Sequence, residues 1–126
     1  MKATAVDAVD APSSPYFAQA VEVVGARRVL YTSGLTPTEG DWAAPEGFAA
    51  QARLAWRNLF AQLAAAEMTP DNLVKVTVFL ADRAYRSESA DIYDEMLSGR
   101  RIAVSTMIAG LVDARWLIEI EAVAAD

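Results

Sequence analysis

The sequence contains no cysteine and no histidine. Without thiols it forms no disulfide and offers no thiolate nucleophile, and without imidazole it has no zinc site of the usual kind and no histidine triad or proton shuttle. Any proton transfer falls to Glu, Asp, Lys, Tyr or water. Basic residues are also scarce: eleven Lys and Arg stand against seventeen Asp and Glu, for a net charge of −6. That is the wrong sign for neutralising phosphates, so nucleic acid and anionic membrane are disfavoured as partners. Long apolar runs are missing too. Met1 to Pro15 carries Asp7 and Asp10 with no run of signal-peptide length, and nothing later approaches the roughly 20 apolar residues of a membrane span. A cytoplasmic protein is the expectation. The six glycines never fall into GxGxxG or GxxxxGK spacing, so neither a dinucleotide turn nor a phosphate-cradling loop is indicated.

What is present suits one domain over residues 1–126, since 54% of the chain is hydrophobic. Ala18 to Val24 and Arg28 to Ser33 are β-branched-rich runs parted by Gly25-Ala26-Arg27, the spacing of a hairpin with a short loop. A weaker opening strand covers Ala3 to Val9. From Glu46 to Met68 the apolar residues Phe48, Ala52, Ala55, Trp56, Leu59 and Leu63 recur at helical spacing, while Gln51, Arg53, Arg57, Asn58 and Gln62 take other directions. Thr69-Pro70-Asp71 breaks that helix, and Leu73 to Leu80 reads as a strand. A second helix is predicted over Ser87 to Ser98, with Ser87 as N-cap and Gly99 just past its end. Ala103 to Ala109 and Trp116 to Ala124 supply two more strands. The order gives an α+β fold in which two helices cover one face of a mixed six-stranded sheet.

The opposite face of that sheet is the informative one. Period-two alternation sends Trp116, Ile118, Ile120 and Ala122 towards the helices and Leu117, Glu119, Glu121 and Val123 away from them. In the middle strand Val74, Val76, Val78 and Leu80 part in the same way from Leu73, Lys75, Thr77 and Phe79. A face mixing Leu73, Phe79, Leu117 and Val123 with Lys75, Glu119 and Glu121 is too apolar for solvent and too charged for a core. A subunit interface is predicted there.

Tyr31-Thr32-Ser33-Gly34, the long helix, Leu-Val-Lys-Val-Thr-Val-Phe-Leu at 73–80 and the terminal Ile-Glu-Ile-Glu-Ala-Val-Ala at 118–124 together make the chain resemble the RidA/YjgF family over nearly its whole length. The resemblance implies a chorismate-mutase-like fold assembled as a homotrimer, with clefts between neighbouring subunits. It also implies hydrolysis of reactive 2-imino acids to 2-oxo acids and ammonia without a cofactor or metal. Family members clamp the substrate carboxylate with the arginine of a Pro-Ala-Arg-Ser segment and position water with a glutamate of the last strand.

On this resemblance Glu119 matches the glutamate, Ser33 and Gly34 match a pair lining the cleft, and Tyr16 or its neighbour Phe17 matches an aromatic near the chain start. The arginine is missing. Its segment falls on Arg101-Ile102-Ala103-Val104, and sliding by one places Val104 at the arginine position. Leu35 replaces a usual glutamine and Ala90 an asparagine before the helix tyrosine, Tyr93. The cleft is therefore less polar than in the imine deaminases.

Each candidate carries an alternative. A partly buried Glu119 can take a proton from water as it adds to a C=N carbon, or can form an interface ion pair with Lys75 or a neighbour's arginine. Glu121 shares its face and is read as structural. Ser33 and Gly34 can offer a hydroxyl and a backbone N–H to a bound polar group, or simply end a strand. Tyr16 can close the cleft mouth or anchor packing. Arg100 and Arg101 can reach the cleft from a shifted position, though a solvent-exposed helix-end pair favoured by the macrodipole is the simpler reading. Trp42 is a lid or a surface residue, and Trp56 belongs to the core. The function expected is that of a RidA-like enzyme acting on a small imine, enamine or related carbonyl-derived metabolite. The alternative is a noncatalytic small-molecule-binding trimer or a specialised biosynthetic role, and ribonuclease activity ranks last.

Overall fold

The periodicities set the core. A computed structural model describes residues Met1–Asp126 and contains six strands and two helices. They are β1 (Lys2–Val6), β2 (Ala20–Val24), β3 (Val29–Tyr31), α1 (Phe48–Ala65), β4 (Leu73–Leu80), α2 (Arg86–Leu97), β5 (Ala103–Ile108) and β6 (Ile118–Ala125). Strands β3–β6 form a mixed sheet in the order β3-β6-β4-β5, with β5 parallel to β4 and the other pairs antiparallel. The helices cover one face of it. Val76, Val78 and Leu80 of β4 and Ile118, Ile120, Ala122 and Ala124 of β6 pack there against Trp56, Leu59 and Leu63 of α1 and Ile92 and Leu97 of α2. Neither helix is long and apolar enough to cross a membrane.

Two amides that the helical pattern assigns to outward directions point inward instead. Gln51 is buried, and its Nε2 donates to the carbonyls of Pro45 and Arg115, while its Oε1 accepts from the Leu117 N–H at 2.8 Å. Asn58 Nδ2 donates to the carbonyls of Thr36 and Thr38, both at 2.9 Å. Buried loop carbonyls need such donors, so α1 supplies from its own side chains what a sheet ladder would otherwise provide.

Three local expectations are corrected. The predicted β2–β3 hairpin does not form: β2 pairs only with β1, from Lys2↔Val24 to Val6↔Ala20. The chain then turns at Gly25, whose φ of 72° suits glycine, and the N–H groups of Arg27 and Arg28 both donate to the Asp126 carbonyl. The ribbon of β1 and β2 joins the β5 edge of the larger sheet through a parallel bridge between Ala18 and Ala103, where the Ala18 N–H donates to the Ile102 carbonyl at 2.9 Å, so the mixed arrangement of six strands stands. Second, a register shift between Leu73 and Lys75 inserts Val74 as an extra residue and turns Leu73 into the core at 4% exposure. Leu117 likewise packs partly against the core, leaving Lys75, Thr77, Phe79, Glu119, Glu121 and Val123 as the central strands' contribution to the open face. Third, α2 starts earlier than Ser87. Asp82 accepts from the Ala84 N–H at 2.7 Å and caps a 3-10 turn that runs directly into the helix. At the other end Ser98 and Gly99 take the left-handed conformation, with φ of 50° and 82°.

Candidate functional site

Alternation along β6 puts Glu119 on the open face, opposite Phe79 of β4. Leu35 bridges to Ile120 through reciprocal backbone bonds of 2.6 and 3.1 Å, which draws the Ser33-Gly34 pair alongside Glu119. The approach is close enough that a side chain at position 34 would displace the flexible end of Glu119. A Cβ built there would overlap Glu119 Oε1 and stand 2.9 Å from Cδ and 3.3 Å from Cγ, so the carboxylate keeps this position only beside a glycine. Thr32 stiffens the strand end, its hydroxyl donating to the Ser33 carbonyl at 2.8 Å and accepting from the Ala122 N–H at 3.0 Å. Lys75 does not pair with Glu119, because its Nζ donates to Ser105 Oγ at 2.8 Å. Nor does any other cation of this chain form an ion pair with Glu119.

A second group of the expected residues gathers elsewhere. Between α2 and the helix side of β5 lies a cavity of about 600 Å³ whose walls include Tyr16, Phe17, Ala90, Tyr93 and Val104. Val104 is opposite Val76 in the parallel β4–β5 register and therefore shares its face. Ala103 points to the other face of β5 and lines none of this cavity. Three charged residues of α2, Arg86, Asp91 and Asp94, line the cavity together with Ser89 and were not among the expected site residues. Helical spacing places residues 86, 90, 93 and 94 on one side of α2, a signal for Arg86 and Asp94 but not for Asp91.

Both arginines before β5 are committed to structure. Arg100 Nε donates to Asp71 Oδ1 at 2.6 Å and its Nη1 to the Leu97 carbonyl at 3.0 Å, the helix-end role. Arg101 departs from that role: its Nη2 reaches Asp7 Oδ2 at 2.8 Å and the carbonyls of Ser14 and Phe17 at 2.9 Å. It thereby pins the segment that carries Tyr16. The Gln19 amide and the Arg101 guanidinium hold the Asp7 carboxyl below the usual carboxylate range. The tether is thus intact above the ordinary carboxylate pKa and is lost as pH falls through the lowered value. Arg101→Met is expected to lower hydrogen-exchange protection of the Ala18 and Gln19 amides by about tenfold or more while leaving core amides unchanged. Equal protection in wild type and variant would remove the tether.

Trp42 is exposed at φ 65° in its loop, and Trp56 is buried against Tyr93 with ring centroids 5.7 Å apart. No group of three or more acidic side chains is close enough together to hold a metal ion.

Residues 8–126 match the family model described as Endoribonuclease L-PSP. A RutC family protein of Aquifex aeolicus is 29% identical over 110 residues, covering 87% of this chain and 86% of that protein. Among solved structures, YyfB of Yersinia pestis, described as a protein of unknown function of the conserved Rid protein family, superposes with a TM-score of 0.89 at 25% identity over the full length of both chains. Yeast Mmf1 gives 0.74 at 26% identity, with 99% of each chain covered.

Proposed function

The chain belongs to the endoribonuclease L-PSP family, the Rid/YjgF group, and from that membership we propose that it is a cytoplasmic enzyme hydrolysing small imines in clefts between subunits of a homotrimer. The observation that carries the reading is the division of the site. Glu119 and Gly34 sit on the open sheet face, whereas Tyr16 and Val104 belong to a cavity on the helix side. One copy cannot bring the two groups around one ligand. A neighbouring copy can, with the edge at β5 of one facing the open sheet of the next, and the mixed face of Phe79, Val123, Lys75 and Glu121 then becomes the buried contact.

In such a cleft Glu119 accepts a proton from water as the water oxygen bonds to the imine carbon. The proton passes to nitrogen to give a carbinolamine, whose hydroxyl proton then moves to nitrogen through Glu119 as the C–N bond breaks, so that a carbonyl compound and ammonia leave. Ser33 and Gly34 offer a hydroxyl and an N–H to the polar end of the ligand, and no cofactor enters the balance. RNA is a poor alternative, because a −6 chain without histidine has neither the charge nor the usual acid–base groups for it.

The test is hydrolysis of freshly generated imines with the carbonyl product trapped, comparing wild type with Gly34→Ala. The added methyl must displace the Glu119 carboxylate, so turnover is expected to fall by about tenfold or more. No rate above buffer on any imine would instead leave the noncatalytic binding protein, a reading favoured by the engagement of Arg100 and Arg101 elsewhere.

A further inference from the structure

The helix-side cavity has a charge pattern that says what it accepts. Asp91 and Asp94 line it, and neither takes part in an ion pair within the chain. Arg86 is the only cation among the lining residues. Tyr93, also lining it, is 8% exposed, and its hydroxyl is buried with no hydrogen-bond partner. A buried hydroxyl left without a partner is costly, and Tyr93 is one of the residues lining a cavity large enough for a small ligand. Burial and the charge of Asp94 push the Tyr93 phenol up to about 12. It therefore remains neutral, and its oxygen can accept a hydrogen bond from an N–H group. Tyr16 adds an aromatic ring at the same cavity, 62% exposed and free to turn its face to a cation.

We propose that this cavity binds a small organic cation without a carboxylate, a protonated imine or amine, with Asp91 and Asp94 supplying the countercharge and the Tyr93 oxygen accepting an N–H. The inference rests on the imine-hydrolase reading for its place in a reaction, but the binding itself does not depend on turnover. A carboxylate in the same place meets two acidic side chains and the single guanidinium of Arg86, while Val104 on the sheet wall offers it nothing. The substrate class that follows is imines derived from amines rather than from amino acids. The reaction supplying them is one that oxidises an amine to a C=N compound, a two-electron acceptor taking the hydride.

The matched probes are pyrrolidine, a cation at neutral pH, and proline, which differs from it by one carboxylate. Isothermal titration of the wild-type protein at low salt is expected to show pyrrolidine binding about tenfold or more tighter than proline. Asp91→Asn/Asp94→Asn should weaken pyrrolidine by about tenfold or more and narrow that ratio, with an unchanged circular dichroism spectrum. Proline binding as tightly as pyrrolidine, no binding of either probe, or pyrrolidine binding untouched by the double substitution would each overturn the proposal. Pyrrolidine bound without any imine turnover would leave the cavity's preference standing and defeat the hydrolase reading. Turnover of 2-iminobutyrate without pyrrolidine binding would do the reverse.

Discussion

Glu119→Gln is expected to lower imine turnover by about 10²- to 10⁴-fold, the range over which one positioned general base contributes, while the melting temperature stays close to that of wild type. The two halves of this expectation have separate causes. Gln keeps the volume and the hydrogen-bonding edge that fit against Gly34, so the crowded contact at that glycine survives. What disappears is the proton acceptor. No salt bridge is broken, because Glu119 has none within the chain. Initial rates on a fresh imine, measured beside thermal denaturation of both proteins, check the pair. Unchanged turnover would remove Glu119 from the chemistry, and a large fall in melting temperature would point to a structural role on the open sheet face.

The second large effect is on stability. Trp56→Ala should cost about 3–5 kcal/mol of unfolding free energy, a fall of roughly 10–20 °C in melting temperature for a chain of this size. Trp56 is 1% exposed in the middle of α1. It meets the Tyr93 ring edge-on at an interplanar angle of 73° and Phe60 at 6.1 Å, so its removal opens a cavity where α1 and α2 touch. Because Tyr93 also lines the helix-side cavity, weaker ligand binding should accompany the loss. Trp56→Phe, which refills most of the space, should recover a large part of both. Chemical denaturation of the two variants decides it, and a cost below about 1 kcal/mol for the alanine would show that the helices collapse together without the indole.

The parts of the fold legible in the sequence are those where one periodicity acts alone. The alternation of β4 and β6 and the stripe of α1 correctly assign Val76, Val78, Leu80, Ile118, Ile120, Trp56 and Leu59 to the core. The hairpin failed for a different reason. Gly25-Ala26-Arg27 announces that the chain turns, and strand-like composition announces that β2 pairs, but neither names the partner, and β1 was the competitor that won. Leu73 was placed on the wrong face because strict alternation has no room for an inserted residue, and Val74 is one. Within the site, Glu119 is singled out by the family resemblance, since alternation alone puts it on one face with Glu121 and does not separate the two. The need for glycine at position 34 was not legible, since it arises from a side chain 85 positions away. The roles of Gln51 and Arg101 escaped for the same reason. Their partners are loop carbonyls, groups every residue possesses and no composition reveals.

The strand order β3-β6-β4-β5 bears on when this protein can fold. Strand β6 follows every other strand in the chain, yet it is the strand that joins β3 to β4. Until Ile118–Ala125 is available, β3 has no neighbour in the sheet and β4 has β5 as its one strand partner. The β1–β2 ribbon pairs residues close in sequence and can form early, but the larger sheet must wait for a closure spanning most of the chain. The larger sheet therefore closes only once β6 is available, and α1, whose apolar stripe packs against β6, lacks part of its cover in the interval. That interval, rather than the finished structure, is where this chain is most open to aggregation and proteolysis.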